Sequence, residues 1–163
     1  MRARIIFTGL ALVVVALGVL VVGKERILAH GTPVLLELAP VDPRSLMQGD
    51  YMVLDYALSR EVVQQGYLGR DGSLVLRLDE NGVGRFVREH APDIPLGPGE
   101  LLLRYKVRKS RVRLGAESFF FQEGHAARYD RAKYGELRVA EDGTSVLVGL
   151  RDAERQPLGR DVP

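Results

Sequence analysis

From Ile5 to Val22 the chain carries no charged residue and only one polar side chain, Thr8. These 18 residues, wound as a helix, extend about 27 Å, close to the roughly 30 Å hydrocarbon core of a bilayer. Such a run has three destinations: a bilayer, a secretory signal that is removed, or the interior of a globular core. The apolar region of a signal usually spans about 7–15 residues before a small-x-small cleavage site; this run is longer, and no Ala-x-Ala follows it. A transmembrane anchor over residues 5–23 is therefore the leading expectation. The cleaved signal remains an alternative that also exports the rest, and the buried core helix is the third. Arg2 and Arg4 precede the run, whereas Lys24, Glu25 and Arg26 after it sum to one positive charge. The more basic flank stays in the cytoplasm. Residues 1–4 are expected inside, with the chain from Lys24 onward on the periplasmic or extracellular side of the cytoplasmic (inner) membrane.

Once an anchor is subtracted from 163 residues, the remainder suits one hydrophobic core. The expected division is a linker over 24–32, a β-rich domain over 33–150 and a flexible tail over 151–163. The 23 basic residues, less Arg2 and Arg4, leave 21 against 21 acidic ones. A formally neutral domain argues against a general nucleic-acid binder. Cysteine is absent, which excludes disulfides, thiolate metal sites, a cysteine nucleophile and a lipidated N-terminal cysteine.

Gly31-Thr-Pro breaks a helix, and Val34 to Ala39 reads as a short strand. Val41-Asp-Pro-Arg-Ser is turn chemistry, and Tyr51 to Leu58 is the strongest strand by β-branched and aromatic content. Alternation places Asp50, Met52, Leu54, Tyr56 and Leu58 on one face and Tyr51, Val53, Asp55 and Ala57 on the other. A short helix is expected over Ser59 to Gln65, capped by Ser59 and ended by Gly66. Leu74–Leu78 and Val83–Arg88 flank Asp79-Glu-Asn-Gly, a hairpin signal, with Leu74, Leu76 and Leu78 facing inward. A Pro- and Gly-rich loop follows, then a long strand or bent hairpin from Glu100 to Leu114, and Ser118 to Phe121. Glu123 to Lys133 is expected as a surface helix stopped by Gly135, and Glu136–Ala140 and Ser145–Leu150 as a hairpin around Glu-Asp-Gly-Thr. The fold class expected is mainly β (a β-rich α+β): an antiparallel barrel- or sandwich-like domain with one or two short helices behind a transmembrane helix.

Gly49-Asp50-Tyr51-Met52-Val53-Leu54-Asp55-Tyr56 matches the pattern Gly-Asp-Tyr-x-x-Leu-x-Tyr at each fixed position. In this, and in Val41–Leu46 and the Glu117…Phe119…Glu123-Gly124 stretch, the chain resembles the GDYXXLXY family of small bacterial membrane-anchored proteins. The resemblance implies an exported, tethered domain and supplies no catalytic residues. From the residues themselves, Gly49 permits a corner and Asp50 can accept backbone donors of the preceding turn. The competing functional reading makes Asp50, Tyr51 and Tyr56 a ligand patch, although alternation sets Tyr51 opposite the other two. The turn also looks like the Ser-Met-x-Pro…Gly-Asp-x-Val segment of signal peptidases. Aligning Pro43 puts Pro40 where the nucleophilic serine belongs, and Ser45 falls at the wrong position.

Arg104, Lys106 and Arg108 alternate with apolar residues, as do Arg111 and Arg113, with Lys109-Ser110 shifting the register between them. The pattern gives a basic face that either meets an anionic surface or is the solvated side of a sheet. Glu117, Glu123 and His125 fall in one region without a metal-binding spacing, so neither metal nor cofactor is expected. Glu117 and Glu123 remain candidates for ligand or partner contact. Phe119-Phe120-Phe121 must leave at least one ring facing away from a core. The functional expectation is a non-enzymatic assembly, sensing or accessory part of a membrane complex, beside a multi-pass membrane protein. An enzyme or binding protein acting on envelope material is the alternative.

Overall fold

The computed structural model describes residues 2–39, 47–48, 51–66, 69–109, 111–115 and 117–159. In chain order the elements are helix α1 (Arg2–His30), β1 (Thr32–Glu37), β2 (Met47–Gln48), β3 (Tyr51–Val53) and helix α2 (Ala57–Gln64). They are followed by β4 (Asp71–Leu78), β5 (Gly84–Glu89), β6 (Glu100–Arg108), β7 (Arg111–Arg113), β8 (Ser118–Phe120), a 3-10 turn (Ala126–Arg128), β9 (Tyr134–Val139) and β10 (Ser145–Arg151).

Helix α1 is 29 residues long, about 44 Å. Its side chains from Ile6 to Val22 are all exposed, and among the described residues it is the one helix long and apolar enough to cross a membrane. Residues 24–30, expected as linker, continue the helix, since Lys24 to Ala29 are mostly good helix formers. Only Gly31 separates α1 from β1. Its N–H donates to Ile27 O at 2.8 Å, and its carbonyl accepts Arg138 Nη1 at 3.2 Å. A Cβ at Gly31 would lie 2.4 Å from Ile27 O and 3.1 Å from the Arg138 Cβ. Glycine thus lets the helix end directly on β9.

The strands form three antiparallel sheets with orders β1-β9-β10, β2-β3-β8 and β5-β4-β6-β7. Single backbone contacts stitch their margins together. Leu35 bridges Val83, Leu38 bridges Tyr56, Ala39 N–H donates to Asp55 O and Arg104 N–H donates to Gly143 O. The sheets include a half-barrel around one core, in which Leu36, Leu74, Leu76, Leu103 and Leu137 are fully buried. The two expected hairpins form as read. Asp79 Oδ1 accepts the N–H groups of Asn81 and Val83, each at 2.9 Å, while Gly82 supplies the left-handed residue at φ 75°.

Several expectations change. The strand from Tyr51 stops at Val53: Leu54 N–H still donates to Glu117 O, the next pair in the β3–β8 register, but Asp55 O already accepts from Ala39 N–H beyond β1 and Ala57 begins a helix. The face assignment nevertheless holds, with Met52, Leu54, Tyr56 and Leu58 all buried. Helix α2 starts two residues earlier than expected, after Tyr56 and without a side-chain cap, so Ser59 does not cap it. Glu123 to Lys133 forms only the 3-10 turn; a segment of this length is a marginal helix in water, and Tyr129 is instead drawn into the core against Phe119 and Phe121, with centroids at 5.0 and 5.4 Å. Gly135 is not a stop but a strand residue opposite Leu36 and Leu150. Arg151 closes β10, and the segment after it folds back, with Leu158 N–H donating to Leu150 O.

Candidate functional site

The signature divides between two environments. Gly49 and Asp50, like Ser45, lie outside the described residues. Tyr51 is half-buried and pairs across the strands with Phe120, the ring centroids 5.7 Å apart. Phe120 is 74% exposed, as alternation of the three phenylalanines requires. With Val53, also exposed, these rings make an apolar outer face on β3–β8. Tyr56 points the other way and is 1% exposed. Burial, and then the negative charge of Glu117, raise its phenol well above the ordinary value. Tyr51 and Tyr56 are therefore not brought together.

Glu117 accepts the Gly115 N–H at 2.9 Å, and its charge is felt at Tyr56. Glu123 is exposed in a turn, and among the described residues no ion pair or hydrogen bond joins it to Glu117 or His125. No group of three His, Asp or Glu residues gathers with metal-binding geometry among the described residues. Tyr105, which sequence reasoning passed over, is buried and donates its O–H to Glu89 Oε1. Burial first, and that hydrogen bond second, push its phenol up to about 12. Both buried phenols thus stay protonated near neutral pH, and that of Tyr105 acts as a hydrogen-bond donor.

The basic residues separate as well. Arg104 is committed to the β9–β10 turn, with Nη2 3.0 Å from Asp142 Oδ2 and Nε donating to Asp142 O at 2.9 Å. Lys106, Arg108, Arg111 and Arg113 are exposed and form no ion pair among the described residues. In the β6–β7 register Lys106 faces Arg113 and Arg108 faces Arg111, while Val107 and Val112 pair between them. The Cβ atoms of directly opposed residues stand about 4.5–5.5 Å apart, and like charges so placed destabilise a sheet. Lys109, absent from the sequence-derived set, adds a further charge at the turn, with φ 50°. The sequence marked Lys109-Ser110 as the break between the two alternating runs; the pairing across it comes from the structure.

No curated protein and no solved structure matches the chain. The family model described as GDYXXLXY protein matches residues 13–150, a span that runs from inside α1 almost to the end of β10 and takes in the Gly49–Tyr56 signature. The chain therefore belongs to the GDYXXLXY protein family.

Proposed function

We propose that this protein is a single-pass membrane protein whose β domain, on the outer side of the cytoplasmic membrane, is a non-enzymatic accessory or assembly part of a complex with a multi-pass partner. The observation that carries this reading is the joint at Gly31. With one residue between α1 and β1, and the Gly31 carbonyl accepting from Arg138 of β9, the joint leaves the domain little free chain on which to turn relative to the helix. About 20 helical residues fill a bilayer core. Lys24 to His30, seven residues or about 10 Å, then reach only through the head-group layer. A rigid mount suits a component that must meet a neighbour in one orientation. The exposed face of Tyr51, Val53 and Phe120 supplies an apolar contact.

Val53→Cys, in a chain with no native cysteine, tests the reading. In spheroplasts it is expected to react with a membrane-impermeant maleimide bearing a photocrosslinker and, on illumination, to join one stoichiometric membrane partner. Labelling only after lysis would reverse the topology; uptake of label without any crosslinked partner would sink the assembly role.

A further inference from the structure

We propose that the β6–β7 hairpin is a binding site for the anionic head groups of the bilayer that holds α1. The inference rests on the anchor reading above and adds a ligand class and a site to it. From Lys106 to Arg113 the sequence carries five basic residues and no acidic one, although the chain beyond Arg4 as a whole has no net formal charge. Lys106, Arg108, Arg111 and Arg113 form no ion pair among the described residues, and the register opposes them as two like-charged pairs on one exposed face. Asp71 is the acidic residue placed across from Lys106 on β4. Arg104 is excluded, because Asp142 holds it.

Position selects the occupant. Ser145 pairs with Val139, and Val139 with Thr32, the second residue after α1. The β9–β10 turn is thus at the end of the domain where the helix enters. Both roots of the basic hairpin are tied to that turn: Arg104 N–H donates to Gly143 O at 2.9 Å, and Ser145 Oγ donates to Leu114 O at 3.1 Å. The hairpin therefore springs from the bilayer end of the fold. Its arms extend about 13 Å from root to tip, and long Lys and Arg side chains reach further. Paired cations about 5 Å apart across the strands can each engage phosphate oxygens, the arginines in bidentate fashion. Each basic residue at an anionic surface favours association by about fivefold. Neutralising four is expected to weaken the contact by roughly a hundredfold or more.

The full-length chain carrying Lys109→Cys labelled with bimane is reconstituted in vesicles of phosphatidylcholine, with and without phosphatidylglycerol and with head-group spin-labelled lipid as quencher. Quenching is expected only with phosphatidylglycerol, and is expected to fade in 1 M salt, where screening shortens to about 3 Å. The combined change K106Q/R108Q/R111Q/R113Q should abolish it, whereas R108K/R111K/R113K, which keeps the charge, should retain most of it. Tyrosine fluorescence checks that each variant is folded. Equal quenching in both vesicle types, or full quenching in the folded glutamine variant, overturns the proposal. So does a label that answers added polyphosphate but not phosphatidylglycerol, which assigns the hairpin to a soluble polymer. A chain that does not float with either vesicle overturns the anchor reading, and the lipid assignment falls with it. One that floats but shows no response to lipid charge or salt overturns the lipid assignment alone.

Discussion

Gly135→Ala isolates the packing that the signature imposes on the rest of the fold. Gly135 lies in the central strand of the β1-β9-β10 sheet, opposite Leu36 on one side and Leu150 on the other. Its φ is not positive, so alanine meets no backbone strain there. The obstacle is the ring of Tyr56: an added Cβ would stand 3.1 Å from both Cε1 and the hydroxyl oxygen of Tyr56 and 3.4 Å from Leu147 Cδ1. Ordinary carbon contacts are about 3.5–4.0 Å, so the overlap is about half an ångström. Tyr56 is 1% exposed and is held by its bridge to Leu38, which leaves the ring little room to retreat. Overpacking of this kind costs about 1–3 kcal/mol, and the gain from replacing a strand glycine offsets about 0.5–1 kcal/mol of it. The net expectation is a loss of about 1–2 kcal/mol. With a urea slope of about 2 kcal/mol/M, the midpoint falls by about 0.5–1 M. Urea unfolding in mild detergent, followed through the 6 tyrosines of a chain without tryptophan, measures it. In a Tyr56→Leu background the clash is gone, and Gly135→Ala should become neutral or slightly stabilising. An equal loss in both backgrounds would refute the reasoning.

Two further outcomes follow from the buried phenol and from the loop after β5. Tyr105→Phe leaves Glu89 without its donor and should lower stability at neutral pH by about 1–3 kcal/mol. Because the folded phenol ionises at about 12 against 10.0 unfolded, its contribution is complete below pH 10 and is lost as the pH rises towards 12; the variant should show a shallower alkaline decline in the same urea assay. Glu100 accepts the Gly97 N–H at 2.9 Å, Arg77 at 3.1 Å and Arg88 at 3.2 Å, and the Gly97 bond is the first cause holding its carboxyl below the ordinary value. Glu100→Gln should raise hydrogen exchange across residues 91–99 above pH 4.5, and the two proteins should converge as acid protonates the native carboxyl; unchanged exchange would show that the clasp does not hold this loop.

Local chemistry was legible where its cause is local. Asp79 and Asp142 sit at the start of their turns and accept backbone donors two residues on, Asn81 and Thr144, so both hairpins could be read from a few neighbouring residues. The inward set Met52, Leu54, Tyr56 and Leu58 was also legible, although the regular strand expected to carry it ends at Val53. The role of Gly135 was not: beside a charged, alanine-containing stretch it reads as a helix stop, and the ring that requires it lies 79 positions earlier. The candidate site divided in the same way. Alternation foretold that Tyr51 would face away from Tyr56, whereas the like-charged pairing of the basic hairpin came from the structure. That Asp142 would claim Arg104 depended on a turn docking from another sheet.

By itself the sequence determined an apolar helix of bilayer length, an antiparallel β domain, the signature that places the chain in its family, and a cluster of cations in a chain that beyond Arg4 has no net formal charge. Each follows from hydropathy, periodicity or charge within one stretch of chain. Only the tertiary structure decided that α1 continues to His30 with Gly31 as the one residue between it and β1, and that the basic hairpin is rooted at the helix end of the domain. Those arrangements depend on contacts between residues far apart in the chain, such as Gly31 with Arg138 and Leu114 with Ser145. Local propensity does not specify such contacts; burial of the shared core brings them together.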